Sequence, residues 1–261
     1  MDPQILAPWL DAIFAAMFVI GVPVLGFFAH RSLQAAIAEG YFSYRRDTYR
    51  HLMFVQGATS ATLISTWLWL ERTPEALGFV TPSAMSAAIS AGVVALVLAV
   101  LLWMRRRLRA SEELRTEAWE QLRGFMDLLP QNQRELRMSY GLACVVGFTE
   151  ELAYRGFLLW WLQNWLDFWP AALLSSIGFG FAHLYQGPKG ILKTTGAGFV
   201  FACTYYYSGS LILPMVLHAI IDAHAFRVAM LLRNRFEWAD RPYEPPSTEW
   251  DDDSPDDLQS P

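Results

Sequence analysis

The segment Met138–Leu162 reads MSYGLACVVGFTEELAYRGFLLWWL, and it combines an apolar run of membrane length with three ionisable side chains, Glu150, Glu151 and Arg155. A charge near the centre of a bilayer costs about 2.5 to 3.5 kcal/mol on insertion scales. Such residues therefore normally face a protein interior or a wet cavity, where they serve a function. We expect the chemistry of this protein to lie in this segment.

The composition predicts a polytopic membrane protein. Of the 261 residues, 54% are hydrophobic and only 17% are charged, and a bilayer core needs about 20 apolar residues in a helix. The apolar runs are continuous and do not alternate with polar residues, so the predicted fold class is an all-α membrane protein with about seven transmembrane helices, in a range of six to eight. The predicted spans are Trp9–Ala29, Leu52–Leu70, Ala84–Met104, Met138–Leu162, Trp169–Leu184, Gly190–Tyr207 and Leu211–Leu232.

The basic residues of the connecting loops predict the orientation. Seventeen of the twenty lysines and arginines follow the first, third, fifth and seventh spans, whereas Arg72 alone lies on the opposite side and Arg155 and Arg227 lie within spans. Because cytoplasmic loops carry the excess of positive charge, we expect an integral protein of the plasma (inner) membrane with its N-terminus outside and its C-terminus in the cytoplasm.

Composition also predicts four parts along the chain. Residues 1–104 would form N-terminal transmembrane helices, residues 105–137 a cytoplasmic amphipathic connector, residues 138–232 a catalytic membrane core in the C-terminal half, and residues 233–261 an acidic cytoplasmic tail. The connector mixes charges with spaced apolar residues, which favours a helix on the membrane surface. The tail carries eight acids against one arginine from Ala239 onward, so we expect it to be disordered.

The first polar pair lies in the fourth span. Glu151 and Arg155 are four residues apart, so they share one helix face and can form an ion pair. Glu150 is rotated by about 100° from its neighbour, since an α-helix has 3.6 residues per turn. One carboxylate is therefore expected to be held in an ion pair while the other is free to act. A purely structural salt bridge would explain Glu151 and Arg155 but would leave Glu150 without a role.

Two later spans add histidines and a second acid. His183 closes the fifth span, and in the seventh span His218 and Asp222 are four apart, so the carboxylate can orient the imidazole. A rise of about 1.5 Å per residue places Glu150 and His218 near mid-membrane but His183 close to the cytoplasmic edge. Helix tilt, or a fifth span that continues beyond Leu184, would have to close this gap.

These groups together indicate hydrolysis. A carboxylate can activate water, an imidazole can share the proton, and a protonated imidazole can stabilise a developing oxyanion. The sequence lacks the HExxH helix of zinc peptidases, the GxSxG turn of serine hydrolases and any phosphate-binding loop.

The order of the polar motifs resembles the CPBP family of intramembrane endopeptidases, also called the Abi family, which includes CAAX prenyl proteases and bacteriocin-processing or immunity proteins. The resemblance covers residues 138–232. The family pattern of EExxxR, FxxxH and then HxxxN or HxxxD is matched here, in that order, by Glu150-Glu151 to Arg155, by Phe179 to His183 and by His218 to Asp222. Any one motif is weak, but three in the right order are specific.

The resemblance implies a role for each matched position. Glu150 would activate the attacking water with help from His183. Glu151 and Arg155 would hold the helix and, through it, the substrate terminus. His218 and the residue at position 222 would stabilise the oxyanion. The implied activity is that of a glutamate-type intramembrane endopeptidase, although metal dependence has also been proposed for the family.

The chain departs from the family pattern at Asp222, where asparagine is frequent. An ionised aspartate cannot donate a hydrogen bond to an oxyanion. We expect Asp222 to keep His218 protonated instead.

The same substitution leaves a zinc-dependent alternative open, because Glu150, His183, His218 and Asp222 would form an oxygen and nitrogen ligand set suited to zinc. Our first expectation is a protease without a cofactor.

The expected partners are the lipid bilayer and a peptide or lipidated protein substrate, which could be of the prenylated CAAX type, and no nucleic acid. Two other functional classes remain open. A non-catalytic membrane scaffold or immunity protein would keep the fold and would function without Glu150 and His183. A proton-coupled transporter could use the same acids and histidines as a relay, but the sequence has no evident inverted repeat to support it.

Overall fold

The structure, a computed structural model, describes residues 3–41 and 43–233, and for residues 123–125 it describes the backbone alone. Every regular element in these ranges is helical, so the predicted all-α membrane fold is confirmed. The α-helices are α1 (Pro3–Ala16), α2 (Val22–Ala38), α3 (Tyr44–Trp69), α4 (Ala84–Ala110), α5 (Glu112–Leu122), α6 (Gln133–Glu151), α7 (Leu159–Leu162), α8 (Phe168–Ala182), α9 (Gly187–Ser208) and α10 (Ile212–Leu232). Two π-helical segments, Met17–Gly21 and Leu152–Leu158, join α1 to α2 and α6 to α7, and three short 3-10 helices lie at Pro74–Leu77, Arg123–Leu128 and Leu184–Gln186.

All seven predicted spans coincide with helical segments. Three helical segments in the described ranges are long and apolar enough to cross a membrane by length and composition: Gln4–Ala38, Ala84–Ala110 and Ile212–Leu232. The helix Phe168–Ala182 is apolar but shorter. The other predicted spans lie on α3, on the continuous helix from α6 to α7, and on α9. That these helices also cross the bilayer remains a prediction.

The surface of α4 is apolar and exposed along most of the helix. Its most apolar 18-residue window contains no buried residue, and large side chains such as Ile89, Leu96 and Trp103 are each more than half exposed. Soluble monomers rarely expose a contiguous apolar surface of this extent. We infer that α4 lies at the periphery of the helical assembly and faces lipid along most of its length.

The largest apolar cluster joins the N-terminal helices to the helix that carries the glutamates. Phe18 and Trp67, from the N-terminal half, pack with Phe157, Phe179 and Met215 from the C-terminal half. The rings of Phe18 and Phe157 lie 5.9 Å apart in an edge-to-face arrangement, a favourable geometry for aromatic pairs. The N-terminal helices thus form part of the packing around the polar segment.

The closest approach between α6 and α10 occurs at Gly147. A Cβ at this position would lie 2.8 Å from the backbone nitrogen of Ala219 and 3.0 Å from the carbonyl oxygen of Met215. Backbone atoms cannot rotate out of the way as a flexible side chain can. Glycine therefore allows the two helices to approach closely, as small residues commonly do in membrane helix packing.

Replacing Gly147 with alanine is expected to destabilise the protein by about 1 to 3 kcal/mol, the usual cost of overpacking. The matched control is Gly141→Ala on the same helix, where the nearest atom to the new Cβ, the Sδ of Met53, is 3.8 Å away. Alanine should be neutral or stabilising there, because glycine disfavours helix interiors. Unfolding midpoints in denaturing mixed micelles would compare the two variants. Equal midpoints would show that the close approach is not required.

The N-terminal ends of α3 and α6 are held together by buried polar contacts. The Nη1 of Arg45 lies 3.3 Å from Oε2 of Glu135, and its Nε donates to the carbonyl oxygen of Asp127 at 2.7 Å. Asn132 caps α6 by accepting a hydrogen bond from the Glu135 amide at 2.9 Å. These contacts fix the start of α6 against α3, and so fix the register of the polar residues further along α6.

The segment predicted as one amphipathic surface helix is built differently. Residues 105–137 comprise the end of α4, helix α5, a 3-10 helix and the first turn of α6. The chain breaks into short pieces because Leu108, Trp119 and Leu129 fold back onto the end of α10, where they bury Val228 and Leu232. The predicted boundaries of the four parts remain a prediction. The acidic tail lies outside the described residues, except for Arg233.

Candidate active site

Helices α6 and α10 bring the two glutamates beside one histidine. Glu150 and Glu151 lie one turn beyond the close contact at Gly147, and His218 lies on the facing side of α10. The Nε2 of His218 is 3.8 Å from Oε2 of Glu150, and its Nδ1 is 2.8 Å from Oε1 of Glu151. The two adjacent carboxylates therefore approach opposite nitrogens of the same imidazole ring.

Glu151 is held by two neighbours through one oxygen, while its other oxygen, Oε2, has no hydrogen-bond partner among the described residues. The same oxygen, Oε1, accepts hydrogen bonds from Nη1 of Arg155 at 2.9 Å and from Nδ1 of His218 at 2.8 Å. Glu151 is 0% exposed and Arg155 is 1% exposed. The predicted ion pair is thus present, and it continues to His218. Because a carboxylate paired with arginine can only accept hydrogen bonds, Nδ1 of His218 carries a proton.

The orientation of His218 differs from the sequence-based expectation. Asp222 was expected to orient the imidazole, but its Oδ2 lies 3.6 Å from Nε2, beyond a normal hydrogen bond. Glu151 makes the short contact instead. The reason is tertiary packing, because α6 presents a carboxylate to the other side of the ring. The free nitrogen, Nε2, consequently faces both Glu150 and Asp222.

Two aromatic rings fix the plane of His218. Phe201 stacks on the imidazole with the ring centroids 4.9 Å apart and an interplanar angle of 15°. Phe179 meets the same ring edge-on, at 5.8 Å and 88°. The hydrogen bond to Glu151 and these two contacts leave the imidazole little rotational freedom. The direction in which Nε2 points is therefore set by packing.

Glu150 is the carboxylate that remains available. Its side chain is 17% exposed, whereas Glu151 is wholly buried. No described residue forms a hydrogen bond with Oε2 of Glu150, the oxygen nearest to His218. A buried carboxylate oxygen normally has a hydrogen-bond partner in a finished core. Oε2 of Glu151 also lacks a partner among the described residues, so it is the partial exposure of Glu150 that suits this carboxylate to accept a proton from a third molecule beside Nε2 of His218.

Gln56 is a site residue that the motif analysis missed. It projects from α3, its side-chain oxygen accepts a short hydrogen bond from the hydroxyl of Thr149, and its amide interacts with the carboxylate of Glu150. The available signal was a lone amide inside the apolar run Leu52–Leu70. An amide at membrane depth needs a polar partner, but the sequence did not identify that partner as Glu150.

Arg155 is enclosed by aromatic rings and a glycine. Its Cζ lies 4.4 Å from the ring centroid of Phe179 and 5.5 Å from that of Phe201, within the range of cation–π attraction. A Cβ on Gly198 would lie 2.8 Å from Nη2 of the arginine, so a side chain there would collide with the guanidinium. Buried in this way, Arg155 is placed to hold Glu151 and has no exposed surface with which to grip a substrate terminus.

His183 follows α8 as its C-terminal cap. The helix ends at Ala182, so the fifth span does not continue beyond Leu184. The Nδ1 of His183 makes a 2.9 Å hydrogen bond with the carbonyl oxygen of Phe179. Because a carbonyl only accepts, Nδ1 carries the proton and Nε2 has the free lone pair. No described carboxylate lies within ion-pair distance of His183, and the ring of Phe179 contacts both imidazoles, with its centroid 4.8 Å from that of His183 and 5.8 Å from that of His218.

Tyr185 is a second residue that the motif analysis missed. Its ring centroid lies 6.0 Å from that of His183 and 5.0 Å from that of His30, in the short connection between α8 and α9. Burial raises the pKa of Tyr185 to about 12, so the hydroxyl is protonated at neutral pH. It can therefore donate a hydrogen bond near the polar cluster. A tyrosine two residues after the histidine is too common a pattern to have signalled this position.

A π-helical segment follows the glutamates directly. In Leu152–Leu158 the amide of Leu159 bonds to the carbonyl oxygen of Tyr154, five residues back. That carbonyl also accepts a hydrogen bond from Ser175 at 2.5 Å. The hydroxyl of Tyr154 donates in turn to the carbonyl oxygen of Phe18 at 3.1 Å, within the other π-helical segment. Such segments are rare and frequently lie at functional sites.

The zinc alternative requires the side chains of Glu150, His183, His218 and Asp222 to converge on one point. Among the side chains that the structure describes, no group of three or more histidines, cysteines, aspartates and glutamates converges closely enough to hold a metal ion. In the predicted set, Nδ1 of His183 is bonded to its own helix, and Nε2 of His218 stands 3.6 to 3.8 Å from the two acids. Two ligands held by one tetrahedral zinc at about 2.0 to 2.2 Å are about 3.3 to 3.6 Å apart, so the three groups around Nε2 are near that spacing, but His183 does not converge with them. The four donors therefore do not form a zinc site in this arrangement, and no step below uses a metal.

Comparison with known proteins supports the motif analysis. Residues 132–224 match the model of the family described as Type II CAAX prenyl endopeptidase Rce1-like. The resemblance inferred from the three motifs is thereby confirmed over this region. All the polar residues assigned to the site from the motifs fall within the matched region, whereas Gln56 lies outside it.

One curated relative is YpbD of Bacillus subtilis (strain 168), whose printed name calls it an uncharacterized protein. It is 32% identical to this chain over 84 residues, which cover 31% of this chain and 40% of the relative. The match thus spans about two fifths of the length of that protein. No solved structure matches the chain.

Proposed function

We propose that this chain, which matches the Rce1-like family over residues 132–224, is an intramembrane endopeptidase. It would hydrolyse a peptide bond of a membrane-associated substrate, with lipidated C-terminal peptides of the CAAX type as the leading class. One observation carries the proposal: two adjacent carboxylates are treated differently. Glu151 is 0% exposed and hydrogen-bonded to Arg155 and His218, while the side chain of Glu150 is 17% exposed and its carboxylate lies 3.8 Å from Nε2 of His218.

The proposed reaction begins with water beside Glu150. The carboxylate takes a proton from the water as the water oxygen attacks the peptide carbonyl carbon. Nε2 of His183 assists by accepting a hydrogen bond from the same water. The carbonyl oxygen becomes an oxyanion. The carbon–nitrogen bond then breaks, and the proton held by Glu150 passes to the leaving amine. The base is thus regenerated, and no metal or other cofactor takes part.

His218 would stabilise the oxyanion in this scheme. Glu151 accepts the hydrogen bond from Nδ1, so protonation of Nε2 gives an imidazolium whose free N–H points toward Glu150 and Asp222. A fixed donor aimed at developing charge is the usual device for acyl transfer. Asp222, 3.6 Å from Nε2 and 32% exposed, supports the positive charge on the ring and does not itself contact the oxyanion.

The orientation inferred from the basic loops places the opening of the site on the cytoplasmic side or toward the adjacent lipid. A lipidated peptide could then approach from the cytoplasmic leaflet, with its lipid in the bilayer and its peptide beside Glu150. The N-terminus would lie outside and the C-terminus in the cytoplasm. This arrangement makes the lipid anchor of the substrate a source of binding energy, since each buried CH₂ contributes about 0.8 kcal/mol.

Cleavage assays on the purified full-length protein would test the proposed function. The panel contains a prenylated CAAX peptide, the same peptide without its lipid, and unrelated membrane-associated peptides, each with and without a chelator. Cleavage that requires the lipid and ignores the chelator is the expected result. Loss of cleavage on chelation, restored by zinc, would contradict the metal-free mechanism. Failure to cleave any peptide would favour a scaffold or immunity role.

Replacing Gln56 with leucine is expected to lower kcat by about tenfold. A hydrogen bond to a charged group contributes about 1.5 to 3 kcal/mol, and here it holds the base in position. Because Gln56 acts through Glu150, the loss should appear mainly in kcat and little in KM. The control is Thr62→Val on the same helix, since the hydroxyl of Thr62 bonds only the carbonyl of Ala58. Equal kcat values in the two variants would remove Gln56 from the site.

A further inference from the structure

A cavity of about 460 Å³ lies where α4, α6 and α10 meet at their cytoplasmic ends. Four arginines line it: Arg105 and Arg109 from the end of α4, and Arg227 and Arg233 from the end of α10. Helix α6 closes the cavity with the residues at its N-terminal end. The cavity is separate from the candidate active site, because none of the site residues lines it.

The arginines of this cavity carry positive charges that no described carboxylate neutralises. Other arginines of the described ranges have acidic partners: Arg45 contacts Glu135, and Arg72 forms two hydrogen bonds with Asp11 at 2.7 and 2.8 Å. None of the four cavity arginines forms such an ion pair with a residue in the described ranges. Arg233 donates one hydrogen bond to the carbonyl oxygen of Gln131, which leaves its charge uncompensated.

Four positive charges around one space, without an acidic partner among the described residues, repel one another. The repulsion is relieved when an anion enters, and guanidinium groups match phosphate oxygens by donating paired hydrogen bonds. The site is large enough for a phosphate group with its substituents. The chemistry of the cavity is therefore that of a phosphate-binding site.

The depth of the cavity indicates where that phosphate comes from. Arg105 is the first charged residue after the lipid-exposed apolar run of α4, so it lies at the level of the headgroups. Met230 and Leu231 add apolar surface to the lining, which suits the glycerol and first methylenes of a lipid. Basic pockets between transmembrane helices on the cytoplasmic side are a recognised setting for anionic headgroups.

We propose that this cavity binds the phosphate headgroup of an anionic phospholipid from the cytoplasmic leaflet. The bound lipid would bridge α4 and α10 through its phosphate. It would also lie at the cytoplasmic ends of the two helices that carry Glu150, Glu151 and His218, so it would steady the contact between α6 and α10. The proposal does not depend on the peptidase activity, since lipid binding is measured directly.

A pair of double variants tests the proposal on the full-length protein. Arg105→Gln with Arg109→Gln removes two charges from the cavity, whereas Arg106→Gln with Arg107→Gln removes two charges from the same turns of the same helix but outside the lining. Native mass spectrometry would measure the retention of phosphatidylglycerol against phosphatidylcholine from mixed micelles. A second arm would measure binding of inorganic phosphate alone at the same ionic strength.

We expect the cavity variant to lose about 25-fold in affinity for phosphatidylglycerol, because each arginine near an anionic lipid contributes roughly a factor of five. The control variant should stay within about threefold of the unmodified protein, since its charges act only through the screened surface field. An equal loss in both variants would overturn the proposal. So would tight binding of inorganic phosphate without any preference for the anionic lipid, or retention of no lipid by the unmodified protein.

Discussion

Replacing Glu150 with glutamine is expected to lower kcat for peptide cleavage by about 10² to 10⁴-fold, the range that a positioned general base contributes. Glutamine has nearly the same shape as glutamate, but its amide cannot accept the proton of the attacking water. Glu150 is the partly exposed carboxylate of the pair, so the change leaves no buried charge uncompensated. The variant should therefore insert and unfold like the unmodified protein.

The control for this prediction is Glu75→Gln, the same substitution at an exposed position on the 3-10 helix Pro74–Leu77. It should leave kcat unchanged. The measurement is single-turnover cleavage of whichever peptide the unmodified protein accepts, with unfolding midpoints recorded for both variants. If Glu150→Gln kept more than about a tenth of the activity, Glu150 would not be the base, and the mechanism would need another group to take the proton.

Replacing Arg155 with methionine is expected to destabilise the protein by about 3 to 5 kcal/mol, the typical cost of removing one partner of a buried ion pair. Glu151 is 0% exposed, and without the guanidinium its carboxylate would keep His218 as its main partner. Methionine keeps the aliphatic part of the side chain but is shorter and lacks the guanidinium that lies against Phe179 and Phe201. The loss should therefore combine the uncompensated charge of Glu151 with some lost packing.

Two further variants isolate this effect. Arg50→Met removes an arginine whose contact with Asp47 is more than half exposed on both sides, and it should change stability by less than about 1 kcal/mol. Adding Glu151→Gln to Arg155→Met removes the buried charge and should restore part of the lost stability. Unfolding in mixed micelles would measure all the variants. No recovery in the double variant would indicate that Arg155 acts mainly through packing.

The sequence predicted the helices well, because the signal for each one is local. A continuous apolar run of membrane length can bury its backbone polar groups only as a helix, and all seven predicted runs coincide with helical segments. The Glu151–Arg155 pair was equally accessible, since four residues of helix bring the two side chains together. The family resemblance also rested on local spacing, and its confirmation extends over residues 132–224.

The contacts between helices could not be predicted in this way. Nothing in the sequence indicates that His218 bonds Glu151 more closely than Asp222, because that choice depends on how α6 and α10 cross at Gly147. The bond between Gln56 and Glu150 joins residues 94 positions apart. The π-helical segments were missed for a related reason: the carbonyl of Tyr154 has a side-chain partner on another helix.

The hydrogen bond from Tyr154 to the carbonyl of Phe18 has a consequence for how the chain can be divided. The match to the family model begins at residue 132. However, Tyr154, which follows the glutamates, donates a hydrogen bond to a backbone carbonyl oxygen in the first span. An excised fragment of residues 132–224 would keep Glu150, His183 and His218 but lose this support and the amide of Gln56. The N-terminal half, which lies outside the matched region, would then be an integral scaffold for the site, and separately expressed halves would have to reassemble before either could act.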